Sequence, residues 1–248
     1  MKKNSIGNSQ IIVLGICIAA ATIIASIILS QGFMKVMKIT HEQITVTGSA
    51  QKSIKSDYIA WTGTFSRRSD DLSAAYKELK NDAVKVKAYL ISKGINEKEI
   101  ITSQVYTTVL YKKNEKGNDT NDIQGYLLSQ NFDIKSSNVE KITMISREST
   151  DLINQGVGFV SCAPSYTYTK LDELKVEMLA SASENAKQRA EKMLAATGSK
   201  IGVMRSAKMG VFQITPDNST EISDYGINDT SSLNKKVVAV VSASFAIE

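Results

Sequence analysis

The 248-residue sequence holds one histidine, two cysteines, two prolines and one tryptophan. With His41 as the sole imidazole, His-based metal sites and Ser-His-Asp or Cys-His catalysis have no material to work with. His41 itself reads as a solvated residue just ahead of the folded body. Of the two cysteines, Cys17 lies in a long apolar run and Cys162 in the body, so they cannot meet within one chain and no structural disulfide is available. Cys162, in the apolar-leaning stretch VGFVSCAP, reads as a buried, inert thiol. Neither GxxxxGK[ST] nor GxGxxG occurs, and Gly156-Val157-Gly158 lacks a third glycine, which removes the phosphate cradles of nucleotide cofactors. No catalytic, cofactor-binding or metal-ligating residue is assigned, and no cofactor is implied. Scarce proline with 42% hydrophobic residues argues equally against disorder and fibrous repeats, leaving a globular chain.

Acidic residues are missing from the first 38 positions, which carry Lys2, Lys3, Lys35 and Lys38. Removing these four from 30 basic residues leaves 26 against 25 acidic ones, so the net charge of +5 belongs to the N-terminus. The body is nearly neutral, and a nucleic-acid partner is excluded. Between those lysines, Ile11 to Phe33 runs without a charge, long enough to cross a hydrocarbon core of about 30 Å. The segment is a transmembrane helix or a signal peptide. A cleaved signal has a shorter apolar region and a small-x-small site, which Ile28-Leu29-Ser30 matches poorly, so the uncleaved signal anchor is favoured. Lysines flank the span two against two, and the positive-inside count does not orient it. The resulting layout is a cytoplasmic stub (1–10), a transmembrane anchor (11–33), a stalk (34–42) and an extracytoplasmic body (43–248), single-pass in the cell membrane with lipid as the anchor's partner.

In the body, Ile44 to Ser49 and Tyr58 to Ser66 alternate as half-buried strands. Ser69 reads as the N-cap of an amphipathic helix carrying Leu72, Ala75, Tyr76, Leu79, Ala83, Val86 and Leu90, stopped at Gly94. Strands follow at Ile100 to Tyr111 and Gly125 to Lys135, joined by the polar run KKNEKGNDTND. A short helix opens on a capping box, Ser137 to Glu140, with Val139, Ile142, Ile145 and Leu152 inward. After a strand at Val157 to Thr169, a long helix bears Leu171, Leu174, Met178, Ala182, Ala186, Ala190 and Met193 and ends at Gly198. Ile201 to Ile214 and the stretch around Val237 to Ile247 are the last strands, separated by about twenty polar residues. The two halves repeat one pattern of strand, helix, glycine, strand, loop and strand. The fold class is therefore α+β: two duplicated halves with helices on one face of a mainly antiparallel sheet.

The order of four stretches resembles the SIMPL-domain family from about Ile44 to the C-terminus: ITVTGSA with Ser56-Asp57, Gly94-Ile95 before Ile101-Thr102, Ile123-Gln124-Gly125-Tyr126, and ASENAKQRAEKMLAATGSKIG (Ala182 to Gly202). The chain departs from the family pattern at Ser56, where many relatives have proline. The resemblance implies an α+β architecture, an extracytoplasmic location in bacteria, homo-oligomers that include rings, and a link to envelope and oxidative stress with no agreed reaction. It supplies no catalytic residues.

What remains reads as structure. Asp70-Asp71 and Asp172-Glu173 fall at helix starts, where the dipole accounts for them. Lys112-Lys113 and Lys235-Lys236 read as solvated hairpin ends. Tyr106, Tyr111, Tyr126, Tyr166 and Tyr168 alternate along strands and pack within the sheet rather than forming an aromatic ligand surface. Asn118, Asn218 and Asn228 mark exposed loops. The leading function is a non-enzymatic, membrane-anchored, self-associating envelope scaffold or stress-related protein. The alternative is a small-ligand-binding or redox-active protein using Cys162, which requires that thiol to be exposed beside a cation.

Overall fold

The structure, a computed structural model, describes residues 8–248; residues 1–7 and the side chains of 8–10, 35–36 and 38–41 lie outside the described residues, and with them the stub and the solvation of His41. Helix α1 (Asn8–His41) is one unbroken helix of 34 residues, about 51 Å at 1.5 Å per residue. Residues 34–41 of the expected stalk form the last two turns of this helix. No glycine or proline follows Gly32 to stop it, and the methionines and lysines there are good helix formers.

Beyond the helix the chain forms two compact units, and its strands form two sheets rather than the single one expected. Strand β1 (Gln43–Lys55) is followed by β2 (Tyr58–Ser69) and α2 (Leu72–Ser92). Next come β3 (Ile100–Thr102), β4 (Tyr106–Lys113), β5 (Asp119–Ser136), α3 (Val139–Glu148), β6 (Gly158–Ser161) and β7 (Ser165–Thr167). The chain closes with α4 (Leu171–Ala195), β8 (Ile201–Met209), β9 (Gln213–Pro216), β10 (Ile227–Asn228) and β11 (Asn234–Ile247).

The larger unit, Gln51–Met178 with Val211–Ala239, is built on a six-stranded antiparallel sheet. At its centre β2 and β5 pair from Ile59↔Ser136 to Ser69↔Tyr126, with β3 and β4 outside β5 and β6 and β7 outside β2. One face is apolar because Ile59, Trp61 and Phe65 alternate along β2 and meet Leu128, Phe132 and Ile134 of β5. Over them lie Ala75, Leu79, Val86 and Leu90 of α2 and Val139, Ile142 and Ile145 of α3. Trp61 and Phe132 meet edge to face with centroids 5.1 Å apart. Each of these large side chains contributes roughly 1.5–3 kcal/mol by leaving water.

The helix boundaries shift in detail. Asp71, not Ser69, caps α2, its carboxylate accepting from Ala74 N at 2.6 Å, because β2 extends through Ser69. Asn138, not Ser137, caps α3. Leu72 and Tyr76 are exposed, and the position the apolar stripe left unassigned, Asp82, is buried. Its carboxylate takes both Nε and Nη2 of Arg67, the Nη2 to Oδ1 bond being 2.8 Å, and Arg67 Nη2 also donates to Gly156 O at 2.5 Å. Hydrogen bonding to the Asp82 carboxylate first, and then the charges of Asp82 and Glu78, hold the guanidinium pKa above its ordinary value despite burial. At the other end of α2, Gly94 N donates to Ile91 O and Ile95 N to Leu90 O, a Schellman turn that needs the left-handed φ of +79° at Gly94. Gly198 ends α4 in the same way.

The polar run KKNEKGNDTND is mostly ladder. β4 and β5 extend to Lys113 and Asp119, leaving a short turn whose Asn114 side chain accepts from Lys116 N and Asn118 N.

The smaller unit takes Leu179–Gly210, Val240–Glu248 and the chain up to Ala50. Here α4 buries Ala182, Ala186 and Ala190 at a strict four-residue interval, and Leu194 takes the inward place expected for Met193, which is exposed. Ala186 and Ala190 pack with Val46, Ala243 and Phe245. The helix approaches so closely that a Cβ on Gly48 would stand 2.2 Å from Ala182 O and 2.3 Å from Ala186 N. Two of the family-like stretches, ITVTGSA and the Ala-rich helix, are thus the two sides of one contact. Strand β8 pairs with β11 from Met209↔Val241 to Ile201↔Ile247, with two register shifts.

Candidate functional site

Within α1 the residues Ile11–Met34 are apolar, fully exposed and long enough to cross a membrane, a property that anchors and signal sequences share. Helix ends at His41 and strand begins at Gln43, so a single residue separates them.

The face of the six-stranded sheet away from the helices is polar. Thr62 Oγ1 donates to Asp133 Oδ1 at 2.5 Å, and Thr64 Oγ1 to Asn131 Oδ1 at 3.0 Å. Cys162 closes this row, its backbone N–H bonded to Thr62 O at 3.0 Å. Its thiol is exposed, which corrects the expectation of a buried one: the apolar neighbours Val157 and Phe159 point to the helix side, while the chain has already reached the sheet margin at Cys162. Among the described residues no hydrogen bond or ion pair joins that sulfur to a lysine or arginine. The tyrosines do not converge. Tyr166 is buried in the core with its hydroxyl 3.1 Å from Thr143 Oγ1, while Tyr106 and Tyr111 are exposed on β4.

The most constructed surface is the segment between β9 and β11. Lys235, expected to be solvated, has only 2% of its surface accessible. Its ammonium donates to Tyr166 O at 2.8 Å and to Asp229 O. Burial lowers its pKa, with the Asp229 charge opposing. Burial also pushes the Asp229 carboxyl up, but hydrogen bonds from Ser231 and the Lys235 charge prevail and hold it below its ordinary value. The consequence is a clamp: Tyr166 N bonds Thr230 O at 2.7 Å and Asp229 N bonds Ile214 O at 2.9 Å. Gln213 Nε2 donates to Ser223 O at 2.6 Å, Lys236 Nζ to Ser219 O at 2.8 Å, and Ser53 Oγ to Asp217 Oδ1 at 2.7 Å. So fixed, the segment holds Ile222 and Tyr225 out to solvent, 80% and 97% exposed. Glu221 and Asp224 flank them, and no lysine or arginine occurs from Asp217 to Leu233. Sequence reading saw only a polar loop; its acidity was legible, its fixed conformation was not.

The remaining candidates stay where helix and hairpin chemistry puts them. Asp71 is a cap, Asp172 and Glu173 lie in the first turn of α4, Lys112 and Lys113 are exposed, and Asn118, Asn218 and Asn228 are all exposed. A cleft of about 280 Å3 between α2 and β3 is lined by Val84, Val86, Ile100 and Phe132 among others and gathers no reactive set. Among the described residues no group of His, Cys, Asp and Glu is placed to hold a metal.

The model of a protein family described as SIMPL, a protein of unknown function (DUF541), matches residues 44–245. A comparison with curated proteins gives no match.

Proposed function

Because this chain belongs to the SIMPL family, we propose that it is a membrane-anchored extracytoplasmic scaffold of the cell envelope, non-enzymatic and acting as a homo-oligomer, with a role in envelope stress. The observation that carries the reading is the continuity of α1: an exposed apolar span that runs by unbroken helix to the first strand of the body. Helix past the span covers about 10 Å, roughly the depth of a headgroup layer, so the body starts at the membrane surface. Confinement to a plane raises the effective concentration of such bodies, and contacts too weak for solution become sufficient there. An ordered, outward-facing acidic segment with two exposed apolar side chains supports a contact function rather than catalysis. Fractionation of cells with intact-mass measurement of the N-terminus tests the anchor. The expected result is membrane-bound protein retaining Ile11 to Phe33; a soluble form starting near Gln31 overturns it.

A second reading, redox or ligand chemistry at Cys162, is favoured by the exposed thiol. Replacement by serine separates the two readings. The scaffold reading expects envelope-stress resistance to survive Cys162→Ser, and its loss would favour the second.

A further inference from the structure

Besides its inward stripe, α2 carries a second one, Lys80, Ala83, Val84 and Lys87, at the i, i+3, i+4, i+7 spacing of one helix face, and all four line the cleft between α2 and β3. Beneath them Phe132 of β5 stands between Gly63 of β2 and Thr102 of β3. Gly63 has no side chain, and the Phe132 ring leans over it: a Cβ there would lie 2.4 Å from the ring, which also stacks on Phe159 of β6. The ring is thereby drawn toward β6, and the space above β3 stays open. Ala83 is too short to fill that space from the helix side. The result is a cleft of about 280 Å3 with the buried side chains of Phe65, Phe132 and Val86 at its floor.

The polar groups of the cleft are unequally committed. Lys87, at one end of the stripe, is neutralised by Glu97. Lys80, about 10.5 Å away along the helix axis, has no carboxylate partner among the described residues. The Thr102 hydroxyl likewise makes no hydrogen bond among them, whereas Gln130 is held through Nε2 by Ser103 O at 2.7 Å. Among the described residues no acidic side chain lines the cleft. Apolar walls with one uncommitted cation and one uncommitted hydroxyl suit a ligand that is apolar over most of its surface and carries a single negative charge. We propose that the cleft binds a small monocarboxylate, its carboxylate on Lys80 Nζ and Thr102 Oγ1 and its apolar body against Phe132, Val86 and Ile100. An apolar cavity of about 150 Å3 holds one benzene ring, so this cleft takes a body of about eight to ten carbons and is too small for the acyl chains of a membrane lipid. The site lies wholly within the larger unit and does not depend on self-association. It adds a ligand to the proposed scaffold, and occupancy, by joining α2 to β3, stabilises that unit by mass action.

The test uses full-length protein in nanodiscs of zwitterionic lipid, with empty nanodiscs as the blank, and equilibrium dialysis against 3-phenylpropionate. One equivalent is expected to bind with a Kd of about 0.1–1 mM, the range for a ligand of this size. 3-Phenylpropanol, the same body without the charge, is expected to bind about tenfold more weakly. Lys80→Gln weakens the acid about tenfold and leaves the alcohol unchanged. The neutral pair Lys87→Gln with Glu97→Gln changes neither, because that cation is already engaged. Ala83→Leu fills the cleft and removes binding of both. Thermal unfolding checks that each variant folds, and the exposed position of Lys80 keeps the test decisive where Ala83→Leu does not fold. Equal affinity for acid and alcohol, or for wild type and Lys80→Gln, overturns the proposal. So does binding untouched by a folded Ala83→Leu, which puts the ligand elsewhere, and so does the absence of binding at about 10 mM. None of these results depends on oligomeric state, which crosslinking in membranes reads separately.

Discussion

Replacing Gly48 with alanine tests how the smaller unit is held together. The added Cβ would stand 2.2 Å from Ala182 O, 2.3 Å from Ala186 N and 2.7 Å from Ala186 Cα, against about 3.4 Å for ordinary contact. All three opposing atoms are backbone, so no rotamer change relieves the clash and α4 must retreat by roughly 1 Å. Retreat opens the layer formed by Ala186, Ala190, Val46, Ala243 and Phe245. It also stretches the bonds from Ser49 N to Asn185 Oδ1 (3.1 Å) and from Arg189 Nη1 to Thr47 O (2.9 Å). Overpacking costs about 1–3 kcal/mol, with this site at the upper end because backbone faces backbone. Alanine in a strand gives back roughly 0.5–1 kcal/mol, leaving a net loss of about 2–2.5 kcal/mol. At about 2–4 °C per kcal/mol for a body of this size, Tm falls by about 4–10 °C. Thermal circular dichroism of the full chain in detergent reads the shift, and hydrogen exchange at Ser49 localises it. A second substitution, Ala186→Gly, removes only a methyl that is not among the clashing atoms, so it is not expected to rescue. An unchanged Tm with full protection at Ser49, or rescue by Ala186→Gly, would refute the packing argument.

Asp82→Ala leaves Arg67 without its carboxylate and is expected to cost about 2–3 kcal/mol, less than a fully buried pair because water reaches Arg67; a double variant, Arg67→Met with Asp82→Leu, recovers most of it, and chemical denaturation checks both. Lys235→Met strands Tyr166 O and Asp229 O at about 1–3 kcal/mol. Because burial lowers the Lys235 pKa below 10.5, the unfolded chain holds the proton more tightly, and this group's contribution to stability rises with pH up to 10.5. Stability of the wild type relative to Lys235→Met is therefore expected to grow from pH 8 to 10.5, and a flat or falling difference contradicts the assignment. Cys162 should react with a polar maleimide in the folded protein, one equivalent per chain, whereas labelling only after denaturation would place the thiol inside.

Local signals carried most of the secondary structure. Gly94 and Gly198 end their helices as read, and the four-residue spacing of Leu174, Met178, Ala182, Ala186 and Ala190 picked the inward face of α4. Errors came where a residue's partner lies far along the chain. Lys235 looks like a hairpin-end lysine until β7 supplies the Tyr166 carbonyl, and Asp82, unassigned in the apolar stripe of α2, is buried because Arg67 reaches it from β2. Ser56 donates its backbone N–H to Leu233 O at 2.9 Å, a bond that a proline in its place could not make. The division into two sheets was equally hidden, since alternation tells which face of a strand is apolar and not which neighbour it pairs with.

The smaller unit is assembled from three stretches that are remote in sequence, with β1 just past α1 and its ladder partner β11 the last strand in chain order. A chain emerging N-terminus first therefore displays β1 long before the strand that covers its edge has been synthesised. Throughout that interval the larger unit can complete its own β2–β5 ladder, while the edge of β1 stays open. Closing a loop of nearly 200 residues between β1 and β11 is slow, and an unpaired strand invites the wrong partner meanwhile. Folding of the smaller unit is accordingly most vulnerable at the pairing of β11 with β1, whose failure leaves a half-built body with an open edge.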